Sequence, residues 1–335
     1  MKKRCLCVLL CFVLVASLLS GCAGNKEATG GQNELINIKI STIAGLSWAP
    51  LFVAASEGFF EEEGLKVEFI TPGGPKGFQA MHAGECEFSM LSQEPLLIAQ
   101  EQGIRSTIIA TMLKSRVYGI IASPDIQNVS DLKGTVIYGS DPGSAPYTFT
   151  WSVLEGAGLD PQKDVTFMQM QADAAITALE RGEIKAAFIN MSKMPELKDI
   201  DVNVLIDTTK EDDSLKYLGA IEFPAEMLCA TEEYAKNNPD ACQKLVNAII
   251  NAQAWIQEHT DREVAESVST ELMVTDLDIL SEGIAIMRAV YSSDCHVSEE
   301  GQNAVVNMCL NSGLISEMIP YSEIVDMTFV NNYSQ

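Results

Sequence analysis

The stretch INIKISTIAGLSWAPLFVAASEGFFEEEGLKVEFI, residues 36–70, decides the fold. Ile36, Ile38 and Ile40 alternate with polar residues in INIKISTI (36–43), the period of a half-buried strand. APLFVAASEGFF (49–60) spaces its apolar residues as a helix does, with Pro50 near its start and Gly58 near its end. LKVEFI (65–70) is a second strand. Outward from it, GFQAMHA (77–83) reads as a short helix closed by Gly84, and CEFSML (86–91) as a third strand. Strands that alternate with helices in this way run parallel, because each helix carries the chain back to the same end of the sheet, and helices then cover both faces.

The same order returns about a hundred residues later. DLKGTVIYGS (131–140) reads as a strand, Pro146 to Gly156 as a helix, DVTFMQM (164–170) as a strand, 173–182 as a helix and IKAAFIN (184–190) as a strand. AMHAGECEF (80–88) aligns with ALERGEIKA (178–186), matching Ala80, Gly84 and Glu85 to Ala178, Gly182 and Glu183. Two α/β lobes of like design follow, and the chain from about Ala225 reads as mostly helical, ending in a helix over SEIVDMTFVNNY (322–333). In open α/β sheets ligands sit outside the carboxyl ends of the strands. The places to look are therefore 44–48, 71–75, 92–94, 139–147 and 190–191.

The amino terminus sets the compartment. Lys2, Lys3 and Arg4 precede CLCVLLCFVLVASLLS (5–20), an uncharged run too short to span a bilayer stably and suited to a secretory leader. It ends in Leu19-Ser20-Gly21-Cys22, which resembles the lipobox of bacterial lipoproteins, so residues 1–21 are expected to be removed and Cys22 lipidated. AGNKEATGGQNE (23–34) has no apolar period and reads as a flexible tether. The leader holds three of the 22 basic residues and no acid, so the chain beyond it stands at −27, with 19 basic residues against 46 acidic. Such charge disfavours nucleic acid or an anionic membrane surface as a partner. The 314 residues from 22 to 335 suit two domains. Beyond the leader and Cys22, five cysteines remain, Cys86, Cys229, Cys242, Cys295 and Cys309, far apart and odd in number. They read as buried thiols, with one disulfide left open. His82, His259 and His296 lack ligand spacing, and no metal site or cofactor is expected.

Five stretches carry a resemblance to a known family. They are APLFVAASEGFFEEEGLKVEF (49–69), AGECEFSM (83–90) followed by Ser92-Gln93-Glu94, Asp131-Leu132-Lys133-Gly134, GAGLDP (156–161) and ALERGEIKAAFI (178–189). In order and spacing they resemble the solute-binding lipoproteins of ABC importers, in the nitrate/sulfonate/taurine and thiamine-precursor group with the periplasmic-binding-protein type II fold. The resemblance covers about residues 36–200; the C-terminal helices fit more loosely. It implies lobe I over 35–117 and 224–335, lobe II over 118–223, and a hinge crossed near Tyr118-Gly119 and Ala220–Phe223. It also implies a non-enzymatic, monomeric, lipid-anchored receptor outside the cytoplasm that closes on a small solute and docks on an ABC permease. A sulfonate-, nitrate- or taurine-like anion is the expected guest, with a thiamine-pyrimidine or flavin-like ring as alternative. Enzymes share this fold, but the cysteine-rich CCCFC-type motif of the pyrimidine synthases is absent and no nucleophile–base pair is visible. A sensory role is not separable by sequence.

Each candidate site residue has a plainer reading beside it. Ser47 and Trp48 follow the first strand, where the indole is a wall for an organic solute or a core residue under the first helix. Gly73 and Gly74 admit close backbone approach or only a turn. Ser92, Gln93 and Glu94 hydrogen-bond a polar head or cap a helix. Gly143 and Ser144 stand before a helix whose free N–H groups and dipole favour an anion; a capped end facing water is the alternative. Tyr147 lies nearer the cleft than Trp151, four residues on. Asn190 offers an amide to the guest or to its own turn. Arg116 is the best single cation for an anionic solute, or a structural charge.

Overall fold

The structure is a computed structural model that describes residues 35–334. The leader, the Cys22 lipidation site and the tether expected over 1–34 lie outside the described residues.

Ten strands form two five-stranded sheets. The first contains β1 (Ile36–Ser41), β2 (Leu65–Ile70), β3 (Phe88–Leu91), β4 (Ser106–Leu113) and, from much later in the chain, β10 (Ala225–Thr231). The second contains β5 (Tyr118–Ala122), β6 (Thr135–Tyr138), β7 (Val165–Phe167), β8 (Ala186–Asn190) and β9 (Asn203–Asp207). Their orders, β2-β1-β3-β10-β4 and β7-β6-β8-β5-β9, are the same order twice. In each, four strands run in one direction and one, β10 or β5, runs antiparallel to both its neighbours.

The repeated sequence falls at equivalent places. The Gly74–His82 helix leads into β3 and the Ala172–Glu180 helix into β8. Both end on a left-handed glycine, Gly84 at φ 78° and Gly182 at φ 72°. The next N–H then returns to the fifth carbonyl back, Glu85 to Ala80 at 3.0 Å and Glu183 to Ala178 at 2.9 Å. That bond satisfies a carbonyl the helix end leaves free.

The chain crosses between sheets twice, over 114–117 and 219–224. Each crossing delivers the antiparallel strand of the sheet it enters. The crossings are tied to each other by Phe223 N–H donating to Lys114 O at 2.9 Å. The first is also held by Thr208 Oγ1 donating to Arg116 O and by Met191 N–H donating to Val117 O.

Three expectations change. The chain from Ala225 is mostly helical as expected, but it opens on the strand β10, whose buried run reads the same in either conformation. The helix expected over 322–333 is two single turns, Tyr321–Ile324 and Thr328–Asn331. Val325 bridges to Ile108, and Asp326 N–H donates to Ile108 O, so the backbone between the turns serves the sheet edge. The helix expected over 49–60 breaks at Gly58, which adopts φ 84°. The five described cysteines are buried and unpaired. Among the described residues no helix is long and apolar enough to cross a membrane.

Candidate functional site

The carboxyl ends of β1 and β8 meet. Asn190 closes β8 and donates from Nδ2 to Ser47 Oγ at 3.3 Å, a direct bond between the loops of the two sheets. Asn190 Oδ1 is fixed by Ser192, accepting from its N–H at 3.0 Å and its Oγ–H at 2.7 Å. The amide therefore has both a turn role and a bridging role. Next to Ser47, Trp48 is half-buried, with its edge against Gly45. Its indole N–H is buried without a partner among the described residues, a donor whose desolvation nothing there compensates.

The glycine pair is structural first. A Cβ on Gly73 would lie 2.6 Å from the carbonyl carbon of Thr42, so only glycine lets these two loops touch. Gly74 takes φ 62°.

Ser92 is half-buried at the end of β3, while Gln93 and Glu94 turn inward to the crossings. Gln93 Nε2 donates to Pro224 O at 3.3 Å, on the second crossing. Glu94 Oε1 accepts from Arg116 Nη2 at 2.6 Å, on the first. Adjacent residues at one helix start thus hold both crossings. Arg116 is 0 % exposed, and its guanidinium carbon lies 5.0 Å from the Tyr118 ring centre and 4.8 Å from that of Phe223. In this structure Arg116 is a paired hinge-side charge and not an open cation facing solvent; the same burial and pairing apply to Glu94.

The start of the Ala145–Gly156 helix is largely satisfied by its own chain. Ser144 Oγ accepts from Tyr147 N–H at 3.3 Å and donates to Asp141 O at 2.7 Å. Pro146 has no N–H, and Thr148 N–H donates to Ser144 O. Ser144 is therefore an N-cap, and little donor capacity is left in this turn for an anion. Gly143 (φ 82°) and, unusually for a residue with a Cβ, Ser140 (φ 72°) shape the loop before it. Tyr147 packs its ring 5.0 Å from Phe167 and 5.8 Å from Trp151. Burial raises its phenol pKa. Phe167 lies close over Gly139 and completes an aromatic cluster that the sequence reading missed.

Two cavities open at these strand ends. One, of ≈ 300 Å³ and mainly apolar, starts at Pro75 and Gly143, from two of the five expected loops, and at Pro95, just beyond a third. It runs between the Gly74–His82 and Glu94–Glu101 helices to His82 and Ile104. The other, of ≈ 200 Å³, adjoins the Ser47–Asn190 bridge, between Ala44–Leu46 and Ser192, Lys193 and Glu196. A larger hollow of ≈ 740 Å³ by Arg105 and Thr231 lies at the opposite end of the first sheet, where β4 begins and β10 ends.

Glu226 is the polar residue sequence reasoning missed. It is 6 % exposed in β10 and adopts φ 56°. Burial pushes its carboxyl up to about 7, Arg116 opposing and Glu94 adding to the shift. The available signal was an acid alone in the apolar run PAEMLCA (224–230). No group of three metal-ligating side chains occurs among the described residues.

A pair of like-ordered α/β sheets joined by two crossings, with strand ends facing across a bridge, defines the two-lobe architecture of the type II periplasmic binding proteins. The sequence profile described as NMT1/THI5-like matches residues 46–263, and the chain belongs to that family. It is 26 % identical over 306 residues to YtlA of Bacillus subtilis (strain 168), named for a binding role, covering 88 % of this chain and 89 % of that one. A second protein of that strain, named for binding aliphatic sulfonates, is 26 % identical over 338 residues, covering 96 % and 95 %. A solved structure from Bordetella bronchiseptica RB50 superposes with a TM-score of 0.76 at 26 % identity, covering 89 % of this chain and 96 % of that one.

Proposed function

We propose that this protein is the solute-binding component of an ABC-type importer. It takes a small solute between the strand ends of its two lobes and hands it, unchanged, to a membrane permease. The observation that carries this reading is the Ser47–Asn190 contact between two sheets of identical order, with one cavity adjoining it and a second, apolar one reaching Pro75 and Gly143. Binding proteins close on a guest in such a gap. The lobe limits 35–117 with 224–335, and 118–223, follow the two crossings, and the protein acts as a monomer.

The guest is an organic solute with an apolar or aromatic body. The apolar cavity and the Tyr147–Trp151–Phe167 cluster favour that body, a ring included. The sulfonates-binding relative favours an acidic head. Arg116 and the Ala145 helix start, the two groups expected to hold an anion, are largely engaged by the protein itself, which argues against a bare inorganic ion.

Thermal-shift screening of residues 23–335 against sulfonates, nitrate, amino acids and vitamin precursors tests the reading. A solute at a hundred times its Kd adds about 2.7 kcal/mol of stability, and it is recovered chemically unchanged. A panel without any shift, or a solute consumed with turnover, would contradict it.

Processing before Cys22 and lipidation of its thiol place the protein on the outer face of a membrane. Cys22→Ser is expected to move it from the membrane fraction to the medium or periplasm when cells are fractionated. A variant that stays membrane-bound would overturn the anchor.

A further inference from the structure

The Leu277–Met287 helix serves two cores at once. Leu280, Ile284 and Met287, spaced along one face, are buried in the core of the first sheet with Ile38, Phe88 and Leu113. Ile286, off that face, packs on the cluster of the second sheet that holds Ile121, Ile189, Met191 and Leu197. The chain just beyond the helix is tied to the first crossing: Val290 O accepts from Lys114 N–H at 2.8 Å, and Tyr291 bridges to Leu113. Tyr291 Oη also donates to Leu46 O at 2.9 Å, next to Ser47. At its other end, Ile279 and Leu280 line the ≈ 200 Å³ cavity that adjoins the Ser47–Asn190 bridge.

Gly283, buried in this helix, touches the other half of the molecule backbone to backbone. A Cβ there would stand 2.9 Å from Ser192 O and 2.7 Å from Leu46 Cδ1. The backbone at Gly283 is helical, so no positive φ demands glycine, and a glycine inside a helix is less stable than alanine. What the residue provides is a notch for the Ser192 carbonyl. Ser192 lies in the short helix Met191–Leu197 and is held by Asn190, whose Oδ1 accepts from both its N–H and its Oγ–H. Asn190 Nδ2 in turn reaches Ser47, and Met191 N–H donates to Val117 O on the first crossing. The turn that fills the notch is thus the turn that bridges the gap.

We propose that the Leu277–Met287 helix is a latch between the two lobes, with Gly283 as the notch that receives the Ser192 turn when the lobes are together. Leu280, Ile284 and Met287 keep the helix on the first lobe throughout. Parting the lobes withdraws Ser192 from Gly283 and Ile286 from the second cluster, and breaks the Ser47–Asn190 bond in the same movement. The volume at position 283 therefore sets the balance between joined and parted lobes. Any larger side chain wedges the joint, because Leu46 can turn its side chain aside and the Ser192 carbonyl, being backbone, cannot. The latch concerns how the lobes hold each other and is tested without a solute, so its failure leaves the solute-binding reading standing.

The test places spin labels on Glu57→Cys and Glu180→Cys in the mature chain, exposed positions on helices of opposite lobes, while the five described native thiols are buried. Pulsed double electron–electron resonance then reads the separation of the lobes with no ligand added. In Gly283→Ala the ratio of short to long separations is expected to fall about tenfold, as overpacking a tight contact does. Ile286→Ala removes an apolar contact without adding a wedge and should lower the ratio too. Gly156→Ala, the same change at the end of the Ala145–Gly156 helix where a Cβ meets nothing within 4 Å, should leave the distribution as in the parent. Melting curves separate a latch from local strain. A wedge that parts the lobes relieves itself, so Gly283→Ala should melt close to the parent, its helix gaining from the alanine. A distribution in Gly283→Ala that matches the parent's overturns the latch, whether or not the melting point falls, and Ile286→Ala decides if the alanine variant does not fold. A parent wholly at long separation, or an equal shift in Gly156→Ala, overturns it as well.

Discussion

Arg116 lies at 0 % exposure against Tyr118 and Phe223, with one short bond to Glu94. Removing one member of a buried ion pair strands the other, at a typical cost of about 3–5 kcal/mol. Arg116→Met is expected to lower unfolding free energy in urea by about that much, and adding Glu94→Leu should restore most of it. A single mutant as stable as the parent would mean the pair is hydrated. Glu226 predicts a pH dependence. Its folded pKa of about 7 stands above the ordinary carboxyl value, so the folded chain binds more protons than the unfolded one between roughly pH 4.5 and 7. Stability is therefore lost as pH rises through that window, in contrast to a carboxylate depressed by a partner. Melting temperature should fall over it in the parent and fall less in Glu226→Gln; parallel profiles would show that Glu226 has a partner. Residue roles of this kind were legible only in part. Sequence placed Gln93, Glu94 and Arg116 close to the cleft, yet which way a buried side chain turns depends on neighbours brought from a hundred residues away. Pro224 and Phe223 do this here.

At the scale of elements, glycine shows where local chemistry dictates form. Gly84 and Gly182 close equivalent helices with open space around their missing Cβ. Alanine at either should cost about 1–2 kcal/mol, the left-handed backbone penalty alone, and the two costs should be alike. Gly77 differs: a Cβ there would stand 1.7 Å from Ser41 Oγ and 2.7 Å from the Pro72 carbonyl oxygen. Gly77→Ala should cost more than either, and Ser41→Ala should rescue it only in part, because the Pro72 contact is backbone; chemical denaturation reads both. The helix–glycine–strand echo was readable because these turns need particular residues. β4, β5 and β10 were not, since they are buried on both faces and their near-continuous apolar runs lack the alternation that marks a strand. The C-terminal helix failed for a different reason. Its apolar spacing is real, but Asp326 N–H is drawn to Ile108 O on the sheet edge.

For the whole molecule, the two lobes and the strand ends that face each other were legible from element order alone. The closeness of their approach was not, because it rests on single contacts. The proposed motion turns on the two crossings, which Gln93 and Glu94 hold from one helix start, while Ser47 and Asn190 join the far sides of the gap. A reversible lock across that gap tests the account most directly. In Ser47→Cys with Asn190→Cys, oxidation should close the lobes together, and the association rate of a solute found by screening should collapse, then return in full with a reducing agent. An oxidised, cross-linked protein that takes up solute as fast as its reduced form would contradict a guest held between the lobes.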